Sequence, residues 1–159
     1  MSGAKLTLDA NLDISIRSLY KTNHSAAVIH TYGGDIVING GTIDCKIRQT
    51  EAKTPVGISA RNGGNLTING GTITAMSIVG SGAANGCIKA DGKLTITGGT
   101  VYANPVRALG LYGKTGVEIS GGNVVVTSPW YGINAGTEAA PADIVISGGS
   151  VEVTAAYAF

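Results

Sequence analysis

A short segment that ends in two glycines recurs five times along the chain. Each copy has two aliphatic residues separated by one other residue, then a small polar residue, Gly-Gly, a second polar residue and a further aliphatic residue. The first glycines of the five pairs lie at positions 40, 70, 98, 121 and 148, so the repeat recurs every 23 to 30 residues. Self-similarity at such a period predicts a repeat architecture, in which each unit buries its apolar face against the next unit.

Apolar residues alternate with polar ones inside each repeat, which is the pattern of a half-buried β-strand. Two aliphatic columns precede the glycines, with members Ile36, Leu66, Leu94, Val117 and Ile144, then Ile38, Ile68, Ile96, Ile119 and Ile146. Two more columns follow the glycines, with members Ile43, Ile73, Val101, Val124 and Val151, then Cys45, Ala75, Ala103, Val126 and Val153. A third short strand lies upstream of each pair, centred on His30, Ser59, Lys89, Tyr112 and Asn134.

Three short strands per repeat predict an all-β fold, a right-handed parallel β-helix (solenoid) of about five to six coils. The whole chain, 1–159, is expected to form one domain, with a degenerate N-terminal capping coil over 1–25 and five repeat coils over 26–159. Composition agrees, because 25 of the 159 residues are Gly and only 5% are aromatic. A core with few rings is built from Ile, Val, Leu and Ala, and Gly suits the tight bends between strands.

The polar residues around each Gly-Gly pair are expected to stack from coil to coil. Strands in a sheet lie about 4.8 Å apart, so side chains in one column can hydrogen-bond along the stack. The column before the bend comprises Asn39, Asn69, Thr97, Ser120 and Ser147. The same alignment places Cys45 and Cys87 two coils apart on different strands, which predicts free thiols.

Charge and hydropathy exclude two classes of partner. The formal net charge is +1, which gives no long-range attraction for nucleic acid. No stretch approaches 18 apolar residues, so no membrane insertion is expected. The N-terminal residues lack the apolar region of a signal peptide. We therefore expect a domain excised from a longer exported protein.

One repeat carries a resemblance to a known family. The run from Cys87 to Val101, CIKADGKLTITGGTV, resembles the repeat of bacterial cell-surface β-helix proteins of the carbohydrate-binding, pectin-binding-like type. Gly57-Ile58-Ser59-Ala60 and Gly132-Ile133-Asn134-Ala135 match the same G-I-x-A segment, and the resemblance covers the chain from Ala26 onward. It implies an extracellular or cell-surface protein that binds a polysaccharide or surface glycan.

The resemblance also implies calcium, held between coils by acidic residues that precede the G-I-x-A segment. The matching positions here are Val56, Gly86, Leu109 and Tyr131, and no carboxylate cluster of the kind that Ca²⁺ requires is evident. The residues themselves therefore predict no metal and no other cofactor.

The outward face of the third strand is the predicted ligand site. Aromatic rings, cations, a carboxylate and an imidazole follow one another along it, and such groups stack on sugars and hydrogen-bond to their hydroxyls. The predicted ligand-binding residues are His30, Tyr32, Ser59, Arg61, Lys89, Asp91, Tyr112, Lys114 and Asn134. An ordinary solvated sheet face is the alternative interpretation. A second aromatic group, either a sugar platform or a plug at a coil edge, comprises Tyr102, Tyr112, Trp130 and Tyr131.

Three functions remain open at this stage. The sequence favours a non-catalytic carbohydrate-binding or adhesive module of a bacterial surface or secreted protein. The alternatives are a purely structural stalk segment and a polysaccharide lyase-like enzyme, in which Lys89, Arg61 and Asp91 would act together; sequence alone supplies no mutual geometry for them. The C-terminal strand ends in apolar residues without a capping helix, which also predicts end-to-end self-association through exposed coil ends.

Overall fold

The computed structural model describes residues 5–9, 13–20, 27–49, 56–78, 86–106 and 109–159, and within them it contains β-strands and no helix. In chain order the strands are β1 (Leu6–Leu8), β2 (Asp13–Tyr20), β3 (Ala27–Tyr32), β4 (Ile36–Ile38), β5 (Thr42–Gln49), β6 (Val56–Arg61), β7 (Leu66–Ile68), β8 (Thr72–Ile78), β9 (Gly86–Ala90), β10 (Lys93–Ile96), β11 (Thr100–Pro105), β12 (Leu109–Gly113), β13 (Gly116–Ile119), β14 (Asn123–Tyr131), β15 (Ile133–Thr137), β16 (Ala140–Pro141), β17 (Ile144–Ile146) and β18 (Ser150–Tyr157).

Successive strands pass in turn to three different sheets, which we name A, B and C. Sheet A has the order β1-β4-β7-β10-β13-β17, sheet B the order β2-β5-β8-β11-β14-β18, and sheet C the order β3-β6-β9-β12-β15-β16. Every described pairing is parallel except that of β15 with β16. The predicted all-β parallel β-helix with three short strands per coil is confirmed.

The coil count is slightly lower than the predicted five to six. Parts of the predicted N-terminal capping coil, residues 1–4, 10–12 and 21–25, lie outside the described residues. The last coil has parallel strands on sheets A and B, and the short antiparallel β16 ends sheet C. About four turns lie between these two ends.

The aliphatic columns form the core, in the register that the repeat predicts. Ile36 pairs with Leu66, and Leu66 with Leu94, and the other columns follow the same alignment. Side chains of these columns are fully or nearly fully buried through the first four repeats. In the last coil Ile146 is 43% exposed, because no further coil covers it. Burial of each aliphatic side chain contributes about 1.5–3 kcal/mol.

The two glycines of each corner between sheets A and B are required for different reasons. Gly99 has φ 82°, in the left-handed region that other residues rarely adopt. Gly98 has no such φ, but a Cβ on it would lie 2.5 Å from the carbonyl oxygen of Asn69 in the preceding coil. The corners of successive coils therefore lie too close together for any side chain at either position.

A ladder of side-chain hydrogen bonds runs along the same corner, as predicted for the first three members of this column, and it extends to Asp9. Thr97 Oγ1 donates to Asn69 Oδ1 at 2.8 Å, Asn69 Nδ2 to Asn39 Oδ1 at 2.9 Å, and Asn39 Nδ2 to Asp9 Oδ1 at 3.0 Å. Asn39 and Asn69 each donate towards the N-terminus and accept from the next coil, while Thr97 donates and Asp9 accepts at the two ends. The ladder ties four coils together at an exposed edge.

Both cysteines are free, as predicted, and both are buried. Cys45 lies on β5 and Cys87 on β9, two coils further along the chain and in a different sheet. Cys45 pairs in register with Ala75, and the thiol of Cys87 donates to the carbonyl oxygen of Ala75 at 3.0 Å. Burial, with a smaller contribution from Asp44, raises the pKa of Cys45 to about 12. The pKa of Cys87 is also raised, chiefly by burial and then by Cys45, against a backbone hydrogen bond from Asn104.

Candidate functional site

Seven of the nine predicted ligand residues lie in register on sheet C, and the other two, Asp91 and Lys114, directly follow its strands β9 and β12. His30 pairs with Ser59, Ser59 with Lys89, Lys89 with Tyr112, and Tyr112 with Asn134. Tyr32 pairs with Arg61 in the neighbouring row. The repeat alignment therefore identified correctly which side chains share this sheet.

The prediction that this column is a continuous exposed ribbon is wrong at two positions. Ser59 is fully buried, and its hydroxyl oxygen has no hydrogen-bond partner among the described residues. Its short side chain lies between the longer side chains of His30 and Lys89 on the neighbouring strands. Tyr112 is only 5% exposed, and its hydroxyl donates to the carbonyl oxygen of Gly136 at 3.1 Å.

The charged groups in the middle of the column bind one another. Lys89 Nζ lies 3.1 Å from Asp91 Oδ1 and 5.8 Å from the centre of the Tyr112 ring. The other oxygen of Asp91 accepts a hydrogen bond from the backbone N–H of Asn62 at 2.8 Å. These groups form a small network that links successive coils, and their bonding capacity is largely used within the chain.

Electrostatics of this network follow from its geometry. Desolvation by itself would raise the pKa of Asp91, but hydrogen bonds from Asn62 and Lys89, together with the positive charges of Lys89 and Lys114, lower that pKa overall. Burial raises the pKa of Tyr112, and the negative charge of Asp91 adds to that effect. Tyr112 is therefore a neutral phenol at physiological pH.

The predicted residues nearer the N-terminus are more accessible. Tyr32 is 76% exposed, His30 is exposed, and Arg61 is partly exposed. Lys114, further along the same row, is also exposed. The network around Lys89 lies between His30, Tyr32 and Arg61 and the groove at the C-terminal end of sheet C, whereas Lys114 follows β12, the strand that carries Tyr112 of the groove.

That groove has a volume of about 510 Å³ and lies where β12 and β15 meet the end of sheet B. It is open to solvent and includes two of the predicted residues, Tyr112 and Asn134. The full lining consists of Tyr112, Tyr131, Asn134, Ala135, Gly136, Thr137 and Glu138. The structure thus brings aromatic, amide, hydroxyl and carboxylate groups to one concave surface.

Tyr131 forms the aromatic side of the groove. Its ring stacks on that of Tyr157 from the last coil, with ring centres 5.0 Å apart and planes 26° apart. A single residue, Gly132, connects β14 to β15, so Tyr131 at the end of sheet B lies directly beside sheet C. Tyr131 therefore lines the groove and also packs against the last coil.

The opposite side of the groove is a short hairpin that sequence reasoning missed. β15 and β16 pair antiparallel, Gly136 with Pro141 and Thr137 with Ala140, and Gly136 has φ 72°. The backbone N–H of Ala140 donates to Thr137 Oγ1 at 3.1 Å. The signal was present in the run Gly136-Thr137-Glu138, which interrupts the repeat and is followed by a proline.

No group of three or more His, Cys, Asp or Glu side chains that could hold a metal ion occurs among the described residues. In that part of the chain there is also no helix long and apolar enough to span a membrane. The described residues form a parallel β-solenoid, and the groove is a concave surface at its C-terminal end. Comparisons with protein-family models, with curated proteins and with solved structures find no match to this chain.

Proposed function

We propose that this chain is a non-catalytic carbohydrate-binding or adhesive module of a bacterial surface or secreted protein, and that the groove beside Tyr131 is its ligand site. The observation that carries the proposal is the combination of an aromatic ring, supported by Tyr157, with the side chains of Asn134 and Thr137 on one concave surface. Aromatic faces stack on the apolar faces of sugars, and amide and hydroxyl groups bind sugar hydroxyls. The surface location rests on the resemblance of the repeat.

The groove replaces the long ribbon as the proposed site. Ser59 and Tyr112 are buried, and Lys89 is bound by Asp91, so the middle of sheet C offers few free groups to a polymer. The exposed His30, Tyr32, Arg61 and Lys114 remain a proposed secondary contact surface for a chain that extends beyond the groove.

A structural stalk segment is the alternative, and the regular core and the corner ladder would serve it equally well. The lyase-like alternative has less support, because the ammonium group of Lys89 is held in an ion pair with Asp91 and over the ring of Tyr112. A base that abstracts a proton from a uronate needs a free lone pair.

Binding to a panel of immobilised plant, microbial and host glycans tests the proposal, followed by calorimetry with each oligosaccharide that is retained. Tyr131→Ala is expected to weaken binding about tenfold, the magnitude of one aromatic stacking contact. Tyr102→Ala is the matched control, because Tyr102 is also exposed but lies on sheet B away from the groove. If no glycan is retained, the structural stalk segment becomes the better interpretation. If Tyr131→Ala and Tyr102→Ala lose the same affinity, the ligand binds outside the groove.

A further inference from the structure

We infer that Glu138 sets the ligand class of the groove: the site takes a sugar without a carboxylate, either neutral or amino-substituted, and rejects uronates. This inference rests on the proposed function and makes it more specific. The positive charges of Lys89, Arg61 and Lys114 on the sheet surface would favour anionic sugars. The ligand class inferred for the groove is therefore different.

The charge of the groove differs from that of the rest of sheet C. Among the described residues that line it, Glu138 alone is charged. Two predicted cations lie near the groove without lining it. Lys89, one strand before Tyr112, is paired with Asp91, and Lys114 is exposed directly after Gly113, which pairs with Ala135 of the groove. A ligand carboxylate in this groove would therefore meet a fixed negative charge and no cation from the lining residues.

The position of Glu138 is set by a tight hairpin. It directly follows Thr137, which pairs with Ala140 through the backbone and accepts the Ala140 N–H through its side chain. Gly136 is at a positive φ before the turn, and a Cβ there would lie 2.5 Å from the nitrogen of Ala142. The turn therefore holds the Glu138 backbone at the rim of the groove.

The remaining polar groups suit an uncharged ring. The Tyr112 hydroxyl is buried and donates to Gly136, whereas the exposed Thr137 hydroxyl accepts the Ala140 N–H and retains its own hydrogen as a donor. The Asn134 amide offers both a donor and an acceptor. Donors and acceptors of this kind match sugar hydroxyl and acetamido groups, and the Glu138 carboxylate matches an ammonium or a hydroxyl donor.

The test compares three oligosaccharides of equal length, made of N-acetylglucosamine, glucosamine or galacturonate, by calorimetry at low ionic strength. The wild-type chain is expected to bind the first two and to bind the galacturonate at least about threefold more weakly, as repulsion between two partly solvated charges dictates. Glu138→Gln should strengthen galacturonate binding by a similar factor, weaken glucosamine binding, and change N-acetylglucosamine binding least, because the glutamine side-chain oxygen can still accept from a sugar hydroxyl. Added salt should reduce these differences.

Glu152→Gln is the matched control, since Glu152 is exposed on β18 of sheet B, and it should change none of the three affinities. Galacturonate binding as tight as that of the neutral oligosaccharide, or an unchanged ranking in Glu138→Gln, would overturn the inference while leaving carbohydrate binding intact. Failure of all three oligosaccharides and of the wider glycan panel would instead remove the proposed function, and the inference with it.

Discussion

The contact between Gly132 and Val153 gives the sharpest test of how the coils pack. Gly132 is the single residue that joins sheet B to sheet C beside the groove. A Cβ built on it would lie 2.1 Å from Val153 Cγ1 in the next coil, 3.0 Å from the carbonyl oxygen of Ala158 and 3.4 Å from Ala155 Cβ. Its φ is not positive, so alanine fits the backbone conformation and only the space is lacking.

The expected cost follows from these distances. Carbon atoms pack at about 3.5–4.0 Å, so Gly132→Ala forces Val153 to move by more than about 1 Å. Over-packing of this kind destabilises a protein by about 1–3 kcal/mol. Val153→Ala alone removes two methyl groups from a half-buried side chain, for about 1 kcal/mol. The double variant removes the clash with Val153, so we expect its stability to match that of Val153→Ala, with a coupling energy equal to the cost of Gly132→Ala, about 1–3 kcal/mol.

A neighbouring glycine supplies the control. A Cβ on Gly110 would lie 2.1 Å from Val126 Cγ1 but also 2.4 Å from the carbonyl oxygen of Gly132, which belongs to the backbone. Truncating Val126 relieves only the first contact. Gly110→Ala is therefore expected to remain destabilising in the Val126→Ala background, with effects that are close to additive.

Equilibrium unfolding in urea measures all of these variants, followed by the fluorescence of the single tryptophan, Trp130, and by circular dichroism. Coincident transitions by the two probes justify the comparison of free energies. Additive losses in the Gly132 and Val153 pair, or an unchanged stability of Gly132→Ala, would refute the packing described for this corner. Rescue of Gly110→Ala by Val126→Ala would show that the backbone there moves readily.

Three further predictions follow from burial and charge. Cys45 and Cys87 should react with a thiol reagent only after denaturant is added, because burial raises the pKa of both thiols; rapid labelling of the native chain at mildly alkaline pH would contradict this. The lowered pKa of Asp91 stabilises the fold above the ordinary Asp pKa of about 3.9, and this stabilisation is lost as the pH falls from that value through the folded-state pKa. Asp91→Asn should therefore be less stable than wild type at neutral pH and lose less on acidification, and equal acid slopes in urea titrations would argue against the network. Ile146→Lys should reduce self-association through the uncovered last coil, and sedimentation velocity that shows the same species for both chains would count against end-to-end pairing.

Most of the fold could be predicted from the sequence because the core obeys a local rule. Alternating side chains face opposite sides of a strand, so Ile36, Leu66 and Leu94 had to share one row once the glycine pairs were aligned. The corner hydrogen bonds of Asn39 and Asn69 followed from the same alignment. Aligned repeat positions pair in register whatever the length of the connection between coils. The variable spacing of the glycine pairs along the chain therefore does not change which residues are paired.

Exposure and the site were harder to predict, because they depend on what lies over a strand. Tyr112 was placed in the correct column, but the hairpin that accepts its hydroxyl hydrogen occurs once and breaks the repeat. The distance between Lys89 and Asp91, two residues apart on one coil, depends on side-chain rotamers that a column alignment does not specify. The groove forms where the regular strands of sheet C meet the hairpin of β15 and β16, which occurs once in the described part of the chain. Sequence periodicity predicts the regular strands but not the hairpin.

The connections between sheets B and C have one more consequence. They are long after β5 and β8, shorter after β11, and reduced to Gly132 after β14, whereas the glycine corner between sheets A and B keeps one length throughout. Lengthening a surface connection is cheap, since each doubling adds only about 0.6 kcal/mol of closure entropy. The connections between sheets B and C can therefore accept inserted residues. The glycine corners between sheets A and B cannot, because carbonyl groups of neighbouring coils lie too close to them. New segments introduced between β5 and β6 would diversify the edge between sheets B and C without altering the stacked interior.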